Sequence, residues 1–313
     1  MSRSEAHEAR NTTLREVFSN RDTAKAGATA DAIVIPNRAR LLALSHEVQD
    51  VPNSDGAKIH WIGGTAADKV ILYFHGGGYG LPAFDGHVIF LSQCAEKLKS
   101  QGHNTRVALL EYGLTTAKKY PTQFIQATEG LRTVLSTGYR PENVIVGGDS
   151  CGGNMALALI SILRHGHPDI QPLNLARPLA GLLLISAWVN FKSSSQSYAL
   201  NETRDIHMKQ QMHEWATDFC TEEERNNYTE PAEAPSSWFK EIPVSKILNI
   251  FGSYELFRDD IVKLGRVLKQ AGANVMDVEC PMQVHIDCVL DAQTGLEVGP
   301  MSTETWRWLE GVF

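Results

Sequence analysis

Several things are scarce in this chain of 313 residues, and each scarcity excludes something. Cysteine is scarce and scattered, at positions 94, 151, 220, 280 and 288. The number is odd and no pair has metal-ligand spacing, so neither a disulfide framework nor a zinc site is expected. The plain expectation is reduced thiols in a cytoplasmic protein. Cys280 and Cys288 flank a histidine and are close enough in sequence to pair, but nothing in their spacing requires it. No apolar run approaches the ~18 residues of a spanning helix. The longest runs, such as Leu179 to Ala187, suit buried strands or helix segments. Met1 to Asn20 is charged throughout and has no apolar block like a signal-peptide core. Lysine and arginine form no cluster, and the formal net charge is -7. Nucleic acid and anionic membrane surfaces are therefore not expected partners. No internal repeat or low-complexity stretch is present, and a homodimer is compatible with the sequence without being indicated by it.

What is present is enough apolar sequence, 43%, for a large core. Strand-like runs alternate with helix-like ones. The strand-like runs are Val70 to Phe74, Arg106 to Tyr112, Val144 to Val146 leading into glycines, Leu182 to Ile185, Ile247 to Phe251 and Val275 to Glu279. Helical patterns cover Phe124 to Leu135, Asn154 to Arg164 and Ile261 to Gln270, and a last helix begins near Thr305. This alternation predicts an α/β fold, a mostly parallel central sheet flanked by helices. Two regions fall outside it. Residues 1–50 look helical and amphipathic. Residues 191–242 are polar, with Ile206 to Phe219 their clearest helix, and end in a loop at Pro231 and Pro235. From composition alone this insertion is a linker, a surface decoration or a cap. The core is then 51–190 together with 243–313.

Four motifs carry chemistry. Gly148-Asp149-Ser150-Cys151-Gly152 is a Gly-x-Ser-x-Gly pattern directly after a strand and directly before a helix. A strand-to-helix turn there lifts the Ser150 hydroxyl above the sheet, with small neighbours to avoid clashes. His75-Gly76-Gly77-Gly78 ends an upstream strand. Such a loop exposes backbone N–H groups and, with the N–H after the nucleophile, forms an oxyanion hole. A phosphate loop would instead need Gly-Lys-Ser/Thr, which is missing. His285 follows the last strand and is the only histidine downstream of His213. The acid belongs on the loop after the strand before last, in Gly252-Ser253-Tyr254-Glu255-Leu256-Phe257-Arg258-Asp259. Glu255 comes first; Asp259 is the alternative and also suits a helix cap. The chain order Ser, acid, His matches a serine hydrolase of the α/β-hydrolase fold. Neither a cofactor nor a metal is expected.

At these residues the chain resembles the hormone-sensitive-lipase-like family of α/β-hydrolases. The family's His-Gly-Gly-Gly is intact, and its Gly-Asp-Ser-Ala-Gly-Gly-Asn reads Gly148-Asp149-Ser150-Cys151-Gly152-Gly153-Asn154. Leu110-Glu111-Tyr112, with Tyr120-Pro121, is similar to its Asp-Tyr-Arg segment and downstream proline. Cys151 stands for Ala, Glu255 for Asp, Gly113 for Arg, and Ile286-Asp287 for Gly-Phe. These departures resemble fungal members, esterases and hydrolases of natural-product (secondary metabolism) pathways. The resemblance implies Ser150, Glu255 and His285 as catalytic triad, Gly77, Gly78 and Cys151 as oxyanion donors, and residues 1–50 and 191–242 as a cap. It implies a small, largely apolar ester substrate, a short acyl ester or a lactone. The same site would serve lactonisation, acyl transfer, ring closure or arylformamidase-like amide hydrolysis. A non-catalytic ligand receptor is the least favoured reading, since such relatives lack the histidine that is present here as His285.

Overall fold

The computed structural model describes residues 4–313, except for the side chains of residues 21 and 23. Eight strands form one sheet: β1 (His46–Asp50), β2 (Lys58–Ile62), β3 (Lys69–Phe74), β4 (Thr105–Glu111), β5 (Val144–Asp149), β6 (Gly181–Ile185), β7 (Ile247–Gly252) and β8 (Val275–Cys280). Their spatial order is β1-β2-β4-β3-β5-β6-β7-β8. From β4 through β8 every neighbouring pair is parallel, while β1–β2 and β2–β4 are antiparallel. β3 to β7 are almost wholly buried, as strands covered on both faces must be.

Helices α4 (Asp85–Ser100), α5 (Thr122–Ser136), α6 (Cys151–His165), α9 (Arg258–Gln270), α10 (Asp287–Thr294) and α11 (Pro300–Glu310) flank this core. The six strands read from the sequence all form, shifted by a residue or so at their ends. Two more were not anticipated, and one of them corrects the expectation that residues 1–50 are wholly helical. That segment, whose first three residues lie outside the described ones, contains α1 (Glu5–Phe18), α2 (Arg21–Gly27) and α3 (Asp31–Leu41) and then becomes edge strand β1. The physical reason is pairing: His46 to Asp50 is polar and half exposed, and only its ladder to Ile62 through Lys58 makes it a strand. Residues 191–242 contain α7 (Gln196–Asn201) and α8 (Lys209–Phe219), and Pro231 and Pro235 start or precede short 3₁₀ turns. All five cysteines are unpaired and buried, so Cys280 and Cys288 form no disulfide. Among the described residues no helix is long and apolar enough to cross a membrane, and no cluster of three metal-type ligands occurs.

The N-terminal helices are fastened to both the core and the insertion. Arg10, buried, pairs with Asp287 and Asp291 of α10. Lys25 of α2 pairs with Asp218 of α8 at 2.8 Å, and Gln211 of α8 donates to the Phe18 carbonyl. Two helical segments far apart in sequence thus meet over the carboxyl ends of the parallel strands, where open α/β sheets place their ligands.

Candidate active site

Ser150 sits at the tip of β5, in the middle of the sheet, with φ 54° and ψ -122°. A non-glycine residue rarely adopts this backbone, and here neighbouring bonds enforce it. Ser150 N–H donates to the Ile185 carbonyl at 3.0 Å, and Trp188 N–H donates to the Ser150 carbonyl at 2.9 Å. Gly152 must be glycine, because a Cβ there would run into the Phe74 carbonyl as α6 crosses β3. The turn is therefore held on one side by β6 and on the other by tight helix packing.

The glycine loop after β3 is locked to that turn. Asp149, the residue before the serine, accepts from Gly76 N–H at 3.1 Å and lies 3.2 Å from His87 Nε2. Burial opposes the Asp149 charge, but His87, then His75 and Tyr73, outweigh it and hold its pKa below the ordinary value. Gly77 and Gly78 have φ of 109° and 59°. A Cβ at Gly78 would collide with the Trp215 ring of α8, so the insertion packs directly on the loop. Among the described residues the N–H groups of Gly77 and Cys151 meet no acceptor. The Cys151 side chain has a part of its own: Sγ accepts from Tyr79 N–H at 3.1 Å behind the loop. An alanine there would leave that N–H without its partner. His75 Nε2 is 3.2 Å from Asp31 of α3, and Asp31 also accepts from Ala83 N–H at 2.5 Å, so the N-terminal segment braces the same loop.

Glu255 and His285 meet as the chain order predicts: Glu255 Oε2 is 3.3 Å from His285 Nδ1. Glu255 Oε1 accepts from the Ser186 hydroxyl at 2.6 Å and from Gly252 N–H at 2.5 Å. Burial opposes charge on His285, but Glu255, then Asp205 and Asp149, outweigh it and raise its pKa above the usual imidazole value. His285 Nε2 is buried with no hydrogen-bond partner among the described residues. Asp259 is bonded elsewhere. It accepts from Ser197 N–H at 2.8 Å and so caps α7, not its own helix. Ile286, where the resembling family has glycine, holds a left-handed φ of 49°, unusual for a β-branched residue. Its N–H donates to Ser186 Oγ at 3.0 Å.

Ser150, Gly77, Gly78 and His285 line one small cavity of about 30 Å³. Its remaining walls are largely apolar, with Phe18 from α1, Trp188 from the loop after β6 and Met212 and Trp215 from α8 among them. Phe18, Leu81, Phe84 and Leu290 also line an outer groove of about 350 Å³ over the N-terminal helices. A depression of about 370 Å³ between Leu44 and Lys99 is as large as that groove, but none of the motif residues lines it.

Residues 71–288 match the protein family described as having the alpha/beta hydrolase fold. The chain belongs to that family. It is 26% identical over 290 residues to a provisionally named steryl acetyl hydrolase of Schizosaccharomyces pombe, covering 87% of this chain and 73% of that one. It is 28% identical over 140 residues to an esterase of Acinetobacter venetianus, covering 45% of this chain and 42% of that one. The hormone-sensitive-lipase homologue EstE7 from a metagenome library superposes with a TM-score of 0.76 over 98% of each chain at 20% identity, a likeness of fold. The chain is thus an α/β-hydrolase, and the relatives it resembles are named as an esterase and a steryl acetyl hydrolase.

Three site residues were not read from the sequence. Ser186 directly follows β6, ahead of the insertion; a small polar residue just past a parallel strand's carboxyl end was the available signal. His207 lines the cavity with its ring 4.9 Å from that of His285. Burial, with His285 beside it, pushes His207 down to about 3, so it is a neutral wall. Asp205 touches the loops that carry Glu255 and His285, and nothing in its polar surroundings in sequence distinguishes it.

Proposed function

We propose that this chain is a serine esterase that removes a short acyl group, acetyl above all, from an apolar alcohol through an acyl-enzyme on Ser150. The observation that carries the reading is the single cavity shared by Ser150, His285 and the glycine loop, closed by apolar cap residues. A water needs ~10–15 Å³ of such volume, so about 30 Å³ holds two or three water-sized groups, room for a short acyl chain and not for a long one. The outer groove, reached past Phe18 and Leu290, offers apolar walls to a larger alcohol. The steryl acetyl hydrolase relative supports an acetyl ester of a bulky alcohol.

In the first half-reaction Ser150 Oγ attacks the carbonyl carbon while its proton passes to His285 Nε2. The carbonyl oxygen becomes an oxyanion held by the N–H groups of Gly77, Gly78 and Cys151. Glu255 holds the imidazolium and does not take its proton. The carbon–oxygen bond to the alcohol then breaks as His285 returns the proton to the leaving oxygen. Water attacks the acyl-enzyme, giving its proton to His285; the carboxylic acid departs and Ser150 regains a proton. On this reading residues 1–50 and 191–242 are the cap, and the buried reduced thiols fit a cytoplasmic location.

The test is kcat/KM on p-nitrophenyl esters of rising acyl length and on a steryl acetate, with Ser150→Ala as control. Activity should peak at acetate or propionate and fall steeply by octanoate. A protein inert towards every short ester, yet cyclising or condensing a substrate without releasing an acid, would overturn hydrolysis as its reaction.

A further inference from the structure

Asp205 has no role in the chemistry described so far. It lies in the insertion between α7 and α8 and is only 1% exposed. Its carboxylate accepts three backbone N–H groups. Oδ1 takes that of Ile206 at 2.8 Å and that of His285 at 3.1 Å; Oδ2 takes that of Leu256 at 2.7 Å. Leu256 directly follows Glu255, so one carboxylate joins the main chain of the base to the main chain of the acid. Its own carbonyl accepts from the Arg15 guanidinium of α1, at 2.8 Å from Nε and 2.6 Å from Nη2.

The charge balance around Asp205 is unusual. A buried carboxylate normally has a cation beside it, because taking a lone charge out of water is costly. Among the described residues no lysine or arginine forms an ion pair with this carboxylate, and the guanidinium of Arg15 is spent on its carbonyl. The groups facing it are His285 and Glu255 from the two loops, with His207 two residues along the chain. Burial pushes the Asp205 carboxyl up to about 6, with His285 pulling it back and Glu255 pushing further. Among the described residues, the positive charge that bears on the carboxylate itself is the imidazolium that His285 becomes when it holds the serine proton. The facing groups of His285 are Glu255 at its ring, Asp205 at its main chain, Asp149 further off, and neutral His207.

We propose that Asp205 is a positioning residue of the ester-hydrolysing site, through which the insertion holds His285 and Glu255 in register and stabilises the protonated base. The proposal rests on the triad reading above. It makes the insertion a part of the catalytic apparatus as well as a wall of the pocket. An asparagine cannot replace the aspartate, since its amide nitrogen would face an N–H donor.

The experiment compares wild type with Asp205→Asn, Asp205→Ala and Arg15→Met, using p-nitrophenyl acetate across pH and thermal melts of each protein. Asp205→Asn should lower kcat about 10²-fold with little change in KM, the cost of a base misplaced by about 1 Å. The acid limb of its pH profile should move to lower pH, because a negative charge that favours imidazolium is gone. A merely structural aspartate would leave that limb in place. Arg15→Met, which frees the Asp205 carbonyl and keeps the carboxylate, should lower kcat more than it raises KM. Folded Asp205→Asn with wild-type kcat and an unmoved limb would overturn the proposal; so would Arg15→Met at full kcat if both Asp205 variants fail to fold. Ser150→Ala and His285→Ala, run alongside, test the triad separately: activity retained in those would sink the triad and not this residue's role alone.

Discussion

Ser186 donates its hydroxyl hydrogen to Glu255 Oε1 at 2.6 Å, which leaves Oε2 for His285. The same hydroxyl accepts Ile286 N–H at 3.0 Å. One side chain just past the end of β6 therefore fixes both the Glu255 rotamer and the loop that carries His285.

Ser186→Ala should lower kcat/KM about tenfold to a hundredfold. A hydrogen bond to a charged group is worth ~1.5–3 kcal/mol, and each ~1.4 kcal/mol is a factor of ten. Steady-state kinetics on p-nitrophenyl acetate reads this directly, and unchanged kinetics would show that Gly252 N–H alone orients Glu255.

Glu255→Gln and Asp259→Asn should separate cleanly. Loss of an orienting acid costs up to ~10⁴ in kcat. Asp259→Asn keeps an oxygen that can cap α7 and should leave both stability and activity nearly intact. Crippled turnover in Asp259→Asn beside normal turnover in Glu255→Gln would exchange the two roles.

The pH profile follows from the raised pKa of His285. The base must be neutral to take the serine proton, so activity falls as pH drops through that pKa. The acid limb of kcat/KM should lie above ~6.5, the ordinary imidazole value. In Glu255→Gln the residual activity should show a limb moved downward. A wild-type limb below that value would contradict the electrostatics described here.

Arg10→Met should be costly to the fold, because it takes the guanidinium away from two buried carboxylates, Asp287 and Asp291. Breaking a buried pair from one side costs ~3–5 kcal/mol. Burial, then Asp287, already raise Asp291 to about 6, against the pull of Arg10. Without Arg10 its charge is less welcome still, so the loss of stability should be larger at pH 8 than near pH 5, where Asp291 protonates. Melting curves at the two pH values check the sign. Removing the first twenty residues should reproduce this loss and, by taking Phe18 from the cavity wall, raise KM as well.

The local shape of the reactive turn was legible because its determinants are contiguous. Ser150 between Gly148 and Gly152, after Val144 to Val146, leaves the chain few ways to pass from strand to helix. His75 to Gly78 likewise carries its meaning in consecutive residues. The edge strand β1 and its neighbour β2 were not legible. Their residues are not distinctive alone, and they become strands through a ladder that runs antiparallel onto β4.

By itself the sequence determined the fold class, the place of Ser150 at a strand-to-helix turn and the chain order of Ser150, Glu255 and His285, since short-range periodicity and turn chemistry specify those. Only the tertiary structure decided what holds Glu255 and His285. Ser186 reaches Glu255 across 69 positions, Asp205 reaches His285 across 80, and Arg10 reaches Asp287 across 277. Contacts over such separations exist only once the sheet has brought its carboxyl ends together, and a buried aspartate reads in sequence like any solvated one. The same holds for the Cys151 thiol: its neighbours along the chain say that it follows the nucleophile, but only the packed loop gives its sulfur the Tyr79 N–H to accept.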